Sequence, residues 1–164
     1  MRHLYWAKVR PDAVIPQKRA EDAGYDLYPC FDEDWMEIAP LETKMIPMGV
    51  ASAFDSDCVI FLKERGSTGT KGIAQRSGVI DSGYRGEYLC PVTNLNKKPL
   101  RIIKKEAAAK VDDPDAYLFY PYEKALCQAV LLPIVQAESA EISLDELKAM
   151  ASERQAGRLG SSGK

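Results

Sequence analysis

The chain has 164 residues, of which 46% are hydrophobic and 28% are charged. This is ordinary usage for a folded protein, and it excludes disorder, a collagen-like repeat or a coiled coil as a description of the whole chain. Its 22 lysines and arginines against 24 acidic residues leave a net charge of -2, too balanced for the broad cationic surface that binds nucleic acid.

Short apolar runs bounded by turn residues recur from end to end, and many alternate with polar residues. This period favours β-strands, and many short strands separated by glycine and proline indicate an all-β sandwich or jelly roll. The strands are predicted at residues 4–9, 43–54, 58–63, 87–94, 100–104, 116–120 and 126–135.

Two local signals predict a turn and a short helix. Asp81, Ser82 and Gly83 separate an apolar pair from the strand that begins at residue 87, which is typical of a tight hairpin. Ser143 and Glu146 have the spacing of a capping box, so we expect a short helix to begin there.

The domain organisation follows from composition. Residues 1–152 are predicted to form a single β-domain, and the Gly- and Ser-rich residues 153–164 a flexible tail. Residues 106–122 begin with a helix-favouring stretch, continue with a helix breaker at 112–114 and end with a strand-like stretch. We interpret residues 106–122 as an insertion with its own hairpin or arm.

The absence of an apolar run of about 18 to 20 residues argues against a membrane partner. Charged residues among the first fifteen argue against a signal peptide, so a cytoplasmic location is expected. The four cysteines lack the paired spacing of a zinc site and are expected to be free and buried. His3 is the single histidine, which leaves little material for a His-based mechanism.

Three stretches are suited to binding phosphate: residues 65–72, the strand that carries Gln128, and the tail from Arg154 to Lys164. Glycines let backbone N–H groups approach an anion, hydroxyls add donors, and arginine supplies a planar two-pronged donor. The first stretch is not a Walker A loop, because its order of Gly, Lys and Ser or Thr differs. By composition alone, such a tail is more often a disordered end.

Five segments, taken in order, resemble the trimeric deoxyuridine triphosphatases (dUTPases), which hydrolyse dUTP to dUMP and pyrophosphate. The third is the most specific, because a long match in mixed residue types is improbable by chance. The resemblance implies a jelly-roll-like fold of the β-clip type with one short helix and a C-terminal lid. The five segments are Ala-Gly-Tyr-Asp-Leu at 23–27, Arg-Gly-Ser at 65–67, Gly-Val-Ile-Asp-Ser-Gly-Tyr-Arg-Gly-Glu at 78–87, Leu-Cys-Gln-Ala-Val at 126–130, and Arg-Gln-Ala-Gly-Arg-Leu-Gly-Ser-Ser-Gly at 154–163.

The resemblance makes Asp81 the general base that draws a proton from the water attacking the α-phosphate. The alternative for Asp81 is a turn residue that accepts its own backbone N–H groups. Tyr84 would lie against the deoxyribose and exclude a 2′-hydroxyl, unless it is an ordinary core tyrosine. The backbone of Gly78 and Val79 would recognise uracil.

The resemblance also implies that Arg65, Gly66, Ser67 and Gln128 bind the phosphates, although a strand glutamine is more often simply solvated. Arg154 would act as an arginine finger on the γ-phosphate, delivered by the tail. The remaining lid contacts with dUTP would come from Leu159, Gly160, Ser161 and Ser162.

A magnesium ion is the expected cofactor, because a triphosphate supplies hard oxygen ligands. Asp26 resembles the carboxylate that steadies this ion through a water, and the alternative is a turn or cap residue. The resemblance further implies a homotrimer with shared active sites, and residues 106–122 are a possible contact for a protein partner.

Three departures from the family pattern stand out. Leu159 occupies the place of an aromatic residue that stacks on uracil, so only apolar cover remains. Glu123, Lys124 and Ala125 replace a usual Gly-Asp-Arg, which removes a charged partner. The second segment, which begins at Arg65, is shorter before Ile73 than in the family. This leaves open whether Ser67 or Thr68 supplies the hydroxyl that contacts the phosphates.

Three functions are therefore compared. The leading one is an active dUTPase. The second is a dUTP-binding regulator that uses residues 106–122 to control a protein partner, and the third is a dCTP deaminase of the same fold. The intact segment around Asp81 and Tyr84 favours the hydrolase over the deaminase.

Overall fold

The computed structural model describes residues 2–76 and 78–152, and strands dominate them. The chain divides into two compact units, Met1–Ile134 and Val135–Lys164. The strands are β1 (Leu4–Lys8), β2 (Tyr25–Leu27), β3 (Trp35–Ile38), β4 (Thr43–Pro47), β5 (Val50–Phe54), β6 (Cys58–Glu64), β7 (Ile73–Gln75), β8 (Val79–Asp81), β9 (Leu89–Asn94), β10 (Leu100–Ile103), β11 (Leu118–Pro121) and β12 (Cys127–Pro133). The helices are α1 (Gly66–Gly69), α2 (Lys105–Ala108) and α3 (Leu144–Ala149), with a 3-10 turn at Pro114–Ala116.

The strands pair into small sheets, as expected of a jelly roll, and the all-β prediction is confirmed. The largest sheet has the order β2-β12-β6-β8, and the others are β4-β9-β7, β11-β10-β3 and β1-β5. The pairing of β10 with β11 is parallel, and the other pairings of named strands are antiparallel. In the described residues, no helix is both long and apolar enough to cross a membrane.

Alternation along the strands builds one continuous core in the first unit. In β10, Leu100 and Ile102 are fully buried, and the intervening Arg101 remains partly exposed. β6 buries Ile60 and Leu62 on the same principle. Because β6 pairs with β12 on one side and β8 on the other, it fixes the relative positions of both neighbours.

The predicted strand at residues 43–54 is two strands, β4 and β5, and Gly49 explains the break. Its φ of 67° lies in the left-handed region, where only glycine is unstrained. A Cβ at this position would lie 2.7 Å from both Ala13 Cβ and Cys30 Sγ. The Gly49 N–H donates to Glu87 Oε1 over 3.0 Å, and Arg10 Nε pairs with the same oxygen at 2.7 Å.

The turn at Asp81 is present, but the predicted hairpin is wrong. Tyr84 N–H donates to the Asp81 main-chain oxygen over 3.0 Å and closes the turn. The flanking strands then enter different sheets, because β8 pairs with β6 and β9 pairs with β4 and β7. The turn therefore presents its side chains at the end of an edge strand.

Residues 106–122 contain the predicted helix and strand, but the strand does not form a hairpin of its own. β11 instead joins β10 in parallel and extends the β3-β10 sheet. Arg101 fastens this segment: its guanidinium carbon lies 3.5 Å from the ring centroid of Tyr117 and 4.7 Å from that of Trp35. Its Nε also pairs with Glu37 Oε2 at 2.7 Å.

Two smaller predictions are confirmed. All four cysteines are free and buried, and burial raises the pKa of the Cys30 thiol, which disfavours the reactive thiolate. In the second unit, Ser143 Oγ accepts a hydrogen bond from Glu146 N–H at the start of α3, while the Glu146 carboxylate accepts from Ser143 N–H.

We predict that Tyr88 makes the β-body sensitive to alkaline pH. This tyrosine is fully buried, its Oη lies 2.6 Å from Ser52 Oγ, and burial raises its pKa from 10.0 to about 12. The folded state thus holds the proton more tightly than the unfolded state, so the stabilisation is complete below pH 10 and is lost as the pH rises towards 12. The free energy of unfolding of the wild type should therefore fall by an amount of the order of 2 kcal/mol over this pH range. Tyr88→Phe has no phenol proton to lose and should not show this fall.

Urea unfolding at several alkaline pH values measures this effect. Tyr5→Phe is the matched control, because Tyr5 is 63% exposed. Parallel pH dependences for the wild type and Tyr88→Phe would contradict the prediction.

Candidate active site

A cleft of about 830 Å³ brings together five residues that the sequence singled out for phosphate or metal. Its other wall is the loop of residues 17–24, which contributes Lys18, Arg19 and Asp22. The predicted residues that line the cleft are Asp26, Arg65, Gly66, Ser67 and Gln128.

Arg65 lies between the end of β6 and the start of α1, and two acceptors fix its guanidinium. Arg65 Nε lies 3.1 Å from Asp26 Oδ1, and Arg65 Nη2 lies 3.3 Å from Asp26 Oδ2, so the ion pair is two-pronged. Arg65 Nη1 donates to the Ala125 main-chain oxygen over 3.2 Å. Both side chains of the ion pair are about one-third exposed, which leaves the guanidinium accessible from the cleft.

The choice between Ser67 and Thr68 is decided by their surroundings. Thr68 is 1% exposed, and its hydroxyl donates to the Arg65 main-chain oxygen over 3.0 Å and accepts from the Arg65 N–H over 3.1 Å. Ser67 is exposed and lines the cleft. Ser67 therefore offers the hydroxyl that a ligand in the cleft can contact.

Gln128 is anchored rather than simply solvated. It lies on β12 opposite Lys63 of β6, and its Nε2 donates to the Glu64 main-chain oxygen over 3.1 Å. Gly24 crosses closely above it: a Cβ on Gly24 would lie 2.8 Å from Gln128 Oε1 and 3.0 Å from Gln128 Cβ. Glycine at position 24 thus makes room for the glutamine side chain.

Asp26 lies on strand β2, which removes the alternative of a turn or cap residue. In the described residues, no group of three or more His, Cys, Asp or Glu side chains could enclose a metal ion. A divalent cation in this cleft would therefore take most of its ligands from a nucleotide and water, which suits magnesium. Because Arg65 engages both oxygens of Asp26, a water-mediated contact is the arrangement this carboxylate fits best.

The second group of predicted residues lies at the free edge of β8. The Asp81 side chain is exposed, and within the described parts of the chain its carboxylate has no hydrogen-bond or ion-pair partner. The turn is closed by its main-chain oxygen instead, so a turn-forming role for the side chain is not what the geometry shows. An uncommitted carboxylate at an exposed turn is available to accept a proton.

Tyr84 is not a core residue, because 42% of it is exposed. Its Oη donates to the Glu87 main-chain oxygen over 3.0 Å, and its ring lies where a Cβ on Gly86 would be. The core tyrosine of this region is Tyr88. The Tyr84 ring is therefore held beside the turn and remains partly exposed.

The backbone of β8 has an open side for ligand recognition. Gly78, with φ of 141°, gives its carbonyl to Leu62 N–H over 2.7 Å, so its backbone faces β6. Because successive residues of a strand direct their backbone N–H and C=O groups to alternate sides, the N–H and C=O of Val79 point away from β6. β8 is the edge of its sheet, so Val79 offers one donor and one acceptor there.

A single copy of the chain keeps these two groups apart. Asp81 lies opposite Val59 on one side of β6, and Gln128 lies opposite Lys63 on the other side. Four residues along β6 and two strand spacings across it separate Asp81 from Gln128 by about 16 Å. One phosphate group cannot contact both within one copy.

Other predicted residues fall outside the described residues, namely Arg154, Leu159, Gly160, Ser161 and Ser162. The sequence reasoning missed the wall formed by Lys18 and Arg19. Lys18 Nζ donates to the Asp22 main-chain oxygen over 2.7 Å, and Arg19 Nε pairs with the Asp22 carboxylate at 3.0 Å. The cluster of charges just before Gly24 was the available signal.

Comparison with known proteins gives one consistent family. The family model for dUTPase matches residues 11–111. A deoxyuridine 5'-triphosphate nucleotidohydrolase from Nautilia profundicola is 31% identical over 161 residues, covering 96% of each chain. One from Leptospira interrogans is 31% identical over 96 residues, which is 56% of this chain and 66% of the relative, just under two thirds of its length.

Solved structures agree on the fold. The dUTPase of Staphylococcus bacteriophage 80alpha, solved with dUPNHPP, has a TM-score of 0.74, 22% identity and 99% coverage of both chains. A dUTPase mutant from phage phi11 of S. aureus, described with a structural Mg(II) ion, has a TM-score of 0.67 and 20% identity, covering 85% of this chain and 96% of its own. At these identities the likeness supports the fold alone.

We predict that Gly24→Ala destabilises the protein by displacing Gln128. The new methyl group would meet Gln128 Cβ, whose position is fixed by the β12 backbone, so it cannot rotate away. The cost in the free energy of unfolding should be about 1–3 kcal/mol, as for other overpacked sites. Gly83→Ala is the matched control for chemical denaturation, because nothing lies within 4 Å of a Cβ there. Equal stabilities of the two variants would contradict the clash.

Proposed function

The chain belongs to the dUTPase family, and we propose that it hydrolyses dUTP to dUMP and pyrophosphate. The observation that carries this proposal is the cleft in which Arg65, Ser67 and Gln128 converge. Its donors suit a chain of phosphates, and the open edge of β8 suits a base that offers both a donor and an acceptor.

The phosphate subsite is the cleft. Arg65 supplies a cation whose position is set by Asp26 and Ala125, so little reorganisation is needed when the anion binds. Ser67 adds a hydroxyl donor, and Gln128 adds an amide fixed by Glu64. Lys18 on the opposite wall adds a cationic donor, whereas Arg19 there is already paired with Asp22.

The base and sugar bind at the edge of β8. Uracil presents N3–H flanked by carbonyls, which matches the N–H and C=O of Val79, whereas cytosine would leave these groups wrongly paired. Gly78 permits the sharp backbone path that aims Val79 outward. The exposed part of the Tyr84 ring covers the deoxyribose and excludes a 2′-hydroxyl by contact.

Asp81 serves as the general base. Its carboxylate accepts a proton from a water molecule as the water oxygen attacks the α-phosphorus. The bond from the α-phosphorus to the bridging oxygen breaks, pyrophosphate leaves, and dUMP retains the new oxygen. Magnesium, when bound, neutralises charge on the triphosphate oxygens, and Asp26 would hold it through a water.

The active site is shared between copies of the chain. The separation of about 16 Å between Asp81 and Gln128 within one copy supports this step, because a single phosphate group can contact both residues only if they come from different copies. A closed homotrimer satisfies this rule with three equivalent sites. Arg154 and the residues after it act as the lid that closes over the phosphates.

The activity is tested by product analysis with dUTP, dCTP, dTTP and UTP in the presence of Mg²⁺. Of these four nucleotides, dUTP should be the one that releases pyrophosphate. Absence of pyrophosphate from the correctly folded protein would remove the proposal, and ammonia from dCTP would indicate the deaminase instead.

Asp81→Asn should fold and bind dUTP but turn it over about 10²–10⁴-fold more slowly, because the amide keeps the shape and cannot take a proton. Steady-state kinetics and binding of dUPNHPP measure the two effects. Ser82→Ala, in the same turn, is the control for local disturbance. A near-normal rate for Asp81→Asn would remove Asp81 from the role of base.

Mixed oligomers test the sharing of the site. Asp81→Asn and Arg65→Ala should each be inactive alone, but co-refolded in equal amounts they should regain about a quarter of the wild-type rate, because a mixed trimer contains one site with both native halves. Each variant refolded alone is the control. No recovery in oligomers shown to be mixed would place both residues in a site within one subunit.

A further inference from the structure

Tyr120 links the segment of residues 106–122 to the phosphate cleft. It lies on β11 and is 1% exposed, so by position it is a core residue. Its Oη nevertheless donates a hydrogen bond of 2.6 Å to the main-chain oxygen of Ala125. Arg65 Nη1 donates to that same oxygen over 3.2 Å.

One carbonyl oxygen therefore receives two donors from distant parts of the chain. A carbonyl has two lone pairs, and when both are used the orientation of its peptide plane is fixed. Without the Tyr120 hydroxyl, one lone pair would lose its partner in the interior and the peptide could turn. Arg65 would then keep Asp26 as its one fixed acceptor and would lose its aim into the cleft.

Position 125 departs from the family pattern. The resemblance predicts an arginine there, whereas Ala125 is 2% exposed and contributes its main-chain oxygen alone to Arg65. Burial raises the pKa of Tyr120, and the nearby Ser67 hydroxyl and Arg65 guanidinium act in the opposite direction. The phenol thus remains a protonated donor throughout neutral and mildly alkaline conditions.

We propose that Tyr120 is a positioning residue for dUTP hydrolysis, holding the Ala125 carbonyl so that Arg65 points at the substrate phosphates. This inference rests on the proposed function for its kinetic consequence. It assigns to residues 106–122 a part in the site that their sequence does not suggest.

Tyr120→Phe tests the proposal, because it removes one oxygen and keeps the buried ring. The expected result is a fall of about tenfold in kcat/KM for dUTP with little change in Tm. Tyr122→Phe is the matched control: Tyr122 lies one residue beyond the same strand, packs on Phe31 and should retain the wild-type kcat/KM.

A double-mutant cycle separates positioning from general structural damage. If Tyr120 acts through Arg65, then Tyr120→Phe combined with Arg65→Ala should be no slower than Arg65→Ala alone. An effect of Tyr120→Phe that persists in full in the Arg65→Ala background would overturn the proposal, as would a kcat/KM within twofold of the wild type.

A crystal structure of Tyr120→Phe decides the question independently of activity. The Arg65 guanidinium should leave the Ala125 oxygen, and an unchanged contact would refute the inference. If the wild type releases no pyrophosphate from dUTP, the proposed function fails, and this structure still shows whether Tyr120 positions Arg65.

Discussion

Strand β6 is hydrogen-bonded on both sides, and this pairing governs where chemistry can take place. On one side β12 brings Gln128 beside the end of β6, where the chain turns into Arg65. On the other side β8 carries Val79 and Asp81 along an open edge. The register of these strands, rather than any flexible loop, sets the distance between the phosphate cleft and the proposed base. This fixed distance within the sheet is the basis for the proposal that the active site is shared between copies.

Within the cleft, an ion pair joins Asp26 and Arg65, two residues that the sequence presents as separate metal and phosphate contacts. Asp26 neutralises and aims Arg65 through two contacts, so the carboxylate and the guanidinium act as one unit. Because both are partly exposed, an anionic ligand can compete for the guanidinium while the carboxylate remains near a bound cation. In the proposed function, the same pair would therefore serve both the phosphate and the metal parts of the site.

Much of the fold follows from the sequence, since apolar runs bounded by turn residues, such as residues 58–63 and 89–94, are strands. The misses have physical causes. β2, β7 and β8 have three residues each, too few to show a period without their partners. The hairpin at Asp81 was wrong because a turn signal is local, whereas strand pairing depends on the whole core. The candidate residues were identifiable because their types and order resemble a family, but Tyr120 was not, since a buried aromatic side chain looks like packing alone.

The short length of β8 has a consequence for the solubility of the protein. The strand edge that we propose to bind the nucleobase could equally accept another strand, and long exposed edges lead proteins to aggregate. β8 has three residues, ends at the charged Asp81 and is followed at once by a turn. It is therefore too short to pair stably with a strand from another molecule. The β8 edge can therefore remain exposed to solvent without promoting fibril formation.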